Sequence, residues 1–176
     1  LNLNEIKRAK INNTEEIPLL IDLLENLPDC FFNIDCKSDD TVLPLINLIK
    51  KYSLLKRVCI GSFSQKRINF IRKSLGPNVK TSMGPNEILF GKILSNLSVV
   101  RNFKSTYASL PMRRYGVNLL NERYINFLKS NNQKVIAWTI NDESEMRLLI
   151  KRGVDGIMTD KTLLLKNILI EENKWK

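Results

Sequence analysis

An α/β fold on a largely parallel sheet is what this sequence predicts, and three observations carry it. Strand-like and helix-like segments alternate along the 176 residues with mostly short connections, the signature of βαβ units. About six segments read as strands, which suits an open doubly wound sheet or an incomplete (β/α)8 barrel. No Gly-x-Gly-x-x-Gly or Walker-type loop follows any of them, which weighs against a nucleotide-binding sheet. The length suits one domain, residues 1–176, with a sizeable core.

In chain order, the polar residues 1–11 are helix-compatible, and Asn12, Asn13 and Thr14 form a loop. Pro18 opens a helix with Leu19, Leu20, Leu23, Leu24 and Leu27 at amphipathic spacing, and Pro28-Asp29 stops it. Residues 30–37, rich in Phe and Ile, read as a strand. Ser38 and Asp39 cap a helix to Tyr52 whose apolar stripe is Val42, Leu45, Ile46 and Ile49. A short strand over 57–62 ends in Gly61-Ser62-Phe63-Ser64; the helix 65–75 follows, and Gly76-Pro77 stops it. Residues 79–83 form the next strand, ended by Gly84-Pro85, and 86–97 an amphipathic helix. Residues 105–110 are a strand turned by Pro111, 121–130 a helix, and 134–140 the clearest strand of all. The helix 142–151 stops at Gly153, and a last strand, 155–159, leads into a helix over 162–172.

Composition narrows the function. With 43% apolar and 26% charged residues the chain is globular, and no apolar run approaches the roughly 20 residues of a membrane span. The net charge of +10 points to an anionic partner: nucleic acid, a phospholipid surface met peripherally, or a phosphorylated substrate. Lys and Arg are spread out with no block of five, and aromatics, at 7%, do not interleave with them, so nucleic acid is not expected. Cys30, Cys36 and Cys59 lack CxxC spacing and are expected as buried thiols of a reducing compartment, with the cytoplasm favoured. There is no histidine, so these residues cannot complete a mechanism that uses imidazole. The chain begins at Leu1 inside a helix-like stretch, which reads as a fragment without its true N-terminus.

The stretch Phe31-Phe-Asn-Ile-Asp-Cys-Lys37 ends a strand with Asp35 and Lys37 two residues apart, hence on one face. Such a pair is either a salt bridge at the lip of the sheet or a place where a divalent cation and a phosphate oxygen are held together. In a barrel the strand C-termini carry the active residues, and here those ends bring Asp35, Lys37, Ser62, Ser82, Trp138, Asn141 and Asp160.

Five stretches resemble the glycerophosphodiester phosphodiesterases, metal-dependent TIM-barrel hydrolases. Ile17-Pro18-Leu19-Leu20 is similar to the helix leading into the family's third strand, Asn33-Ile34-Asp35-Cys36-Lys37 to its acid-x-Lys strand end, and Gly61-Ser62-Phe63-Ser64 to the Ser-Phe turn after its fourth. Ala137-Trp138-Thr139-Ile140-Asn141 matches the Trp-Thr-x-Asn strand end, and residues 153–160, Gly-Val-Asp-Gly-Ile-Met-Thr-Asp, the closing motif. The resemblance implies an incomplete (β/α)8 barrel holding strands 3–8. The first two βα units, with both catalytic histidines and two of three metal carboxylates, fall before Leu1.

By the same resemblance, the intact protein hydrolyses glycerophosphodiesters to glycerol 3-phosphate and an alcohol, while this chain, with no catalytic residue of its own, is inactive. Asp35 is implied as a metal ligand for Ca2+ or Mg2+, one methylene shorter than the Glu of many members, a change expected to shift ion placement or ion choice. Lys37 is implied to bind the substrate phosphate, and Trp138 to offer a flat wall to the glycerol. Each has a plainer alternative: Trp138 as packing, Ser62 and Ser82 as strand-end hydrogen bonders, Asn141-Asp142 as a helix cap, Asp155 and Asp160 at turns and the last cap, Arg113 and Arg114 in a solvated loop rather than against an anionic head group. Two other functions compete: an inactive barrel that binds phospholipid head groups, and a phosphoinositide-type phospholipase. A barrel lacking two strands is expected to be poorly soluble or to associate.

Overall fold

The computed structural model describes residues 2–97, 99, 101–114 and 116–175. Two compact units emerge, Leu1–Phe32 and Asn33–Lys176. In the first, α1 (Leu3–Arg8) starts at a capping box in which Asn2 Oδ1 accepts from the Glu5 backbone N–H and the Glu5 carboxylate accepts from that of Asn2. β1 (Lys10–Ile11) and β2 (Glu15–Glu16) then pair antiparallel, with Asn12 and Asn13 at positive φ in the turn and a Lys10–Glu16 ion pair of 2.8 Å across it. A helix over all of 1–11 is therefore corrected: asparagine tolerates the left-handed region, and the hairpin it permits takes Lys10 and Ile11. α2 (Leu20–Asn26) carries the expected leucine spacing but starts two residues after Pro18.

The second unit holds β3 (Phe32–Asp35) from Asn33 onward, α3 (Val42–Lys51), β4 (Val58–Gly61), α4 (Gln65–Leu75), β5 (Lys80–Thr81), α5 (Pro85–Leu97) and β6 (Tyr107–Pro111). A hairpin of β7 (Arg113–Arg114) and β8 (Val117–Asn118) follows, then α6 (Glu122–Ser130), β9 (Lys134–Trp138), α7 (Glu143–Lys151), β10 (Gly156–Ile157) and α8 (Thr162–Glu171). The sheets are ordered β3-β4-β5 and β10-β9-β6, with β4–β5, β6–β9 and β9–β10 parallel. A parallel bridge between Ser82 and Tyr107 joins them, supported by Met83 N–H to Tyr107 O at 2.7 Å and Thr106 N–H to Thr81 O at 3.0 Å. The order is thus β3-β4-β5-β6-β9-β10: six strands with helices between them, an α/β arrangement.

Alternation along the strands decides what each side does. Ala108 and Leu110 of β6 and Val135 and Ala137 of β9 are fully buried against Leu128, Met146 and Leu149 of the covering helices. The residues between them, such as Ser109, Pro111 and Trp138, face the other way and line a cavity. The paired segments are shorter than the apolar runs: 79–83 keeps a ladder only at Lys80–Thr81, and 155–159 only at Gly156–Ile157. Gly84-Pro85 ends the first of these because proline fits the first turn of a helix, where its missing N–H costs nothing. The β7–β8 hairpin replaces the loop expected after Pro111; Tyr115 in its turn lies outside the described residues.

Candidate active site

Because parallel strands end on one side of a sheet, all six bring their C-terminal ends to a single cavity of about 380 Å3. Its walls include Asn33, Asp35 and Lys37 from β3 and its exit, Ser62 and Phe63 after β4, and Ser82 after β5. Pro111, Trp138 and Met158 follow from β6, β9 and the residue beyond β10, and Arg114 from the β7–β8 hairpin.

Asp35 and Lys37 do share a face: Lys37 Nζ lies 2.5 Å from Asp35 Oδ2. The Lys37 side chain is 74% exposed and that of Asp35 33%, so the pair is worth less than about 1 kcal/mol to stability, and both charges are open to a ligand. Trp138 is half-buried and forms a wall of the cavity rather than filling the core. Phe63 stands edge-on to it, ring centroids 5.8 Å apart at 89°. Over the same Phe63 ring lie Lys37 Nζ at 5.4 Å and the Arg114 guanidinium at 5.8 Å. The cavity therefore offers an aromatic corner with two cations on it and one carboxylate beside them.

The loop carrying Lys37 is held from behind by Arg67 of α4. Its guanidinium pairs with Asp39 at 2.6 Å and donates to the carbonyls of Lys37 at 2.8 Å and Cys36 at 3.3 Å. That contact holds the Asp39 carboxyl below the usual carboxylate range. Ser62 Oγ donates to Cys36 O at 2.7 Å and accepts from Ser64 N–H, so it clips the same loop as a strand-end hydrogen bonder. Ser82 Oγ lies 3.8 Å from Cys59 Sγ, whose thiol burial pushes up to about 11.

Four expectations are corrected. Asn141 does not cap α7; Asp142 does, accepting from Glu145 N–H at 3.0 Å, while Asn141 donates to Asp160 Oδ2 and accepts from Thr159 and the Asp160 N–H. Asp160 in turn does not cap α8: it precedes the N-cap position, Lys161, and its carboxylate accepts from the Asn141 amide. Neither Asn141 nor Asp160 lines the cavity; they tie the end of β9 to that of β10. Asp155, expected at a turn, instead ties the start of β10 to β9: its carboxylate accepts from Val135 N–H at 2.8 Å, and its own N–H donates to Val135 O at 2.8 Å. The fourth concerns the thiols: Cys36 is buried and Cys59 half-buried, but Cys30 is exposed, since it precedes β3 instead of lying within it.

Phe63, Arg67 and Arg114 were not singled out as site residues by sequence. The Ser-Phe turn was the available signal for Phe63. From sequence, Arg113 and Arg114 read as a solvated loop or as cations against an anionic head group; the hairpin turns Arg114 onto the cavity and leaves Arg113 exposed.

For a hard divalent cation the donor set here does not suffice. Such an ion takes six or more oxygens, usually with more than one carboxylate, and among the described residues Asp35 is the sole Asp or Glu on the cavity. Among the described residues no three His, Cys, Asp or Glu side chains converge.

Residues 1–164 match the Glycerophosphoryl diester phosphodiesterase family. The chain belongs to that family. It is 30% identical over 182 aligned residues to a Mycobacterium tuberculosis protein named "Probable glycerophosphodiester phosphodiesterase 2", spanning 99% of this chain and 68% of that relative. Among solved structures it superposes on a glycerophosphodiester phosphodiesterase from Parabacteroides distasonis with a TM-score of 0.75 at 21% identity, covering 98% of this chain and 72% of that one. An Oleispira antarctica phosphodiesterase in complex with the product sn-glycerol-3-phosphate gives a TM-score of 0.69 at 16% identity, over 96% and 70% of the two chains. The resemblance read from the strand-end motifs is thus borne out, and the α/β fold is that of the family's TIM-barrel members.

Proposed function

We propose that the protein to which these residues belong hydrolyses glycerophosphodiesters to glycerol 3-phosphate and an alcohol. The observation that carries this reading is the cavity at the strand ends, where Asp35, Lys37 and Trp138 meet in a chain of this family. The product bound to the Oleispira relative supports the substrate class.

Cleaving a phosphodiester requires neutralising the non-bridging oxygens and supplying a proton to the departing alkoxide. Lys37 and Arg114 meet the first requirement: each places a cation at the aromatic corner, and Lys37 exchanges its exposed carboxylate partner for a phosphate oxygen at little cost. Trp138 and the edge of Phe63 give the glycerol a flat wall. Asp35 would supply one carboxylate to a Ca2+ or Mg2+ ion, whose charge would complete the neutralisation of the phosphate oxygens; the remaining ligands would have to come from outside these residues. The proton transfers need groups that the chain lacks, as it holds no histidine. On this reading the six strands are the third to eighth of a (β/α)8 barrel, and the 176 residues alone bind without turning over.

A coupled assay of glycerol 3-phosphate release tests it, run on the 176 residues and on the intact gene product. The proposal expects no turnover from the former and divalent-ion-dependent turnover from the latter, abolished by chelation. Turnover by these residues alone would overturn the assignment of acid–base groups elsewhere. An intact product that binds the diester without cleaving it would favour a binding module, and a cyclic phosphate product a phosphoinositide-type phospholipase.

A further inference from the structure

A helix on the outside of an α/β domain normally turns its polar side to water. α5 is apolar on both sides: Leu94 and Ile88 pack into the core, and a second apolar set faces water. Leu89, Phe90, Ile93 and Leu97 fall on one outward arc, with Leu89 and Leu97 each 65% exposed and Ile93 50%. The inward arc is closely seated: Gly91 and Ser95 are buried, and a Cβ on Gly91 would meet Tyr124 Oη at 3.0 Å. On α4, Phe70 is likewise exposed, with Lys66 and Lys73 on the same face. α4 and α5 border one groove of about 640 Å3, to which Arg101 and Lys104 contribute.

Charge segregates onto the same part of the chain. Residues 41–121 contain fourteen Lys and Arg and a single carboxylate, Glu87. That one is consumed by Arg72, whose guanidinium it accepts in two bonds of 2.9 Å. The Arg101 guanidinium lies 4.6 Å from the centroid of Phe90, so a cation sits directly against the apolar stripe. An oligonucleotide would use stacking aromatics, but the stripe is three aliphatic side chains to one ring. An anionic bilayer meets both features together, taking the apolar side chains at the acyl boundary and the flanking cations among its phosphates.

We propose that the outward face of α5, with the adjoining edge of α4, is a docking surface for an anionic lipid membrane, with Leu89, Phe90, Ile93 and Leu97 inserted and Lys66, Lys73, Arg101 and Lys104 at the head groups. Among the described residues no helix is long and apolar enough to cross a membrane, so the contact is one that lies on the surface. This inference rests on exposure and charge, independently of the proposed activity.

Vesicle flotation of the full chain tests it, with vesicles of equal phosphatidylglycerol and phosphatidylcholine against phosphatidylcholine alone. The wild type should float with the anionic vesicles at least tenfold better. Leu89→Gln with Ile93→Gln should lose at least tenfold of that binding while keeping the wild-type circular dichroism and melting temperature. Both substitutions are at exposed positions, and Arg101→Glu with Lys104→Glu is a second variant expected to lose binding and its salt dependence. Failure of the wild type to float, or flotation unaffected by the glutamines, would overturn the proposal. So would an oligonucleotide bound as tightly as the vesicles and insensitive to the stripe, or a self-association of the chain that the glutamines abolish without lipid present.

Discussion

Two residues apart at the end of β3 and its exit, Asp35 and Lys37 share a face by strand spacing, and the 2.5 Å contact between them agrees. Phe63, Arg67 and Arg114 were not legible in that way, because each acts across the sheet: an aromatic turn after β4, a helix behind the Lys37 loop, and a hairpin cation brought over from beyond β6. Cys59 yields a test at this scale. Its folded thiol titrates near 11 against an ordinary 9.0, because burial disfavours the thiolate. A group that the fold keeps protonated costs stability once the unfolded chain can ionise, so stability should fall as pH rises above 9 and level off beyond 11. The full loss attributable to this thiol is about 3 kcal/mol, of which about 2 kcal/mol is reached by pH 10.5. Urea unfolding at pH 8 and pH 10.5 should show a larger drop in the wild type than in Cys59→Ala; equal drops would remove burial as the cause.

Among elements, the helices were the more legible. The stripe Val42, Leu45, Ile46 and Ile49 is the buried face of α3, and Ser64, Asn121 and Asp142 are N-caps with side-chain bonds, as their residue types suggest. Strand ends were less so, since a ladder stops where its neighbour leaves and not where the apolar run ends. The entry to α5 depends on a contact that no local pattern reveals. Glu87 accepts from both Arg72 nitrogens and from the Gly84 N–H at 2.8 Å, with the two side chains only 12% and 17% exposed. Removing the carboxylate strands a largely buried guanidinium, so Glu87→Ala should destabilise by about 3 kcal/mol, while Arg72→Met with Glu87→Leu should recover much of it. Chemical denaturation of the single and double variants measures this. A single variant within about 0.5 kcal/mol of wild type would show the pair to be an ordinary surface bridge.

For the whole molecule, the alternation of strand and helix was enough to read an α/β fold, and the motifs enough to choose the family. The segregation of charge was less visible: the basic residues are evenly spaced, and it is the carboxylates that avoid residues 41–121. Among the described residues β3 and β10 stand at the two ends of the strand order, each with one strand partner. Sedimentation of the 176 residues should accordingly show association that grows with concentration, and a sharp, reversible, concentration-independent melt of a monomer would contradict it.

The central claim, that the cavity grips a phosphate through Lys37 beside Asp35 and against Trp138, is tested most directly by calorimetric titration with sn-glycerol 3-phosphate. Saturable binding is expected, weakened at least tenfold in Lys37→Gln by the loss of a charge-assisted hydrogen bond, while Asp35→Asn without added metal should bind at least as tightly as wild type. Binding left unchanged by Lys37→Gln in a folded protein would contradict it.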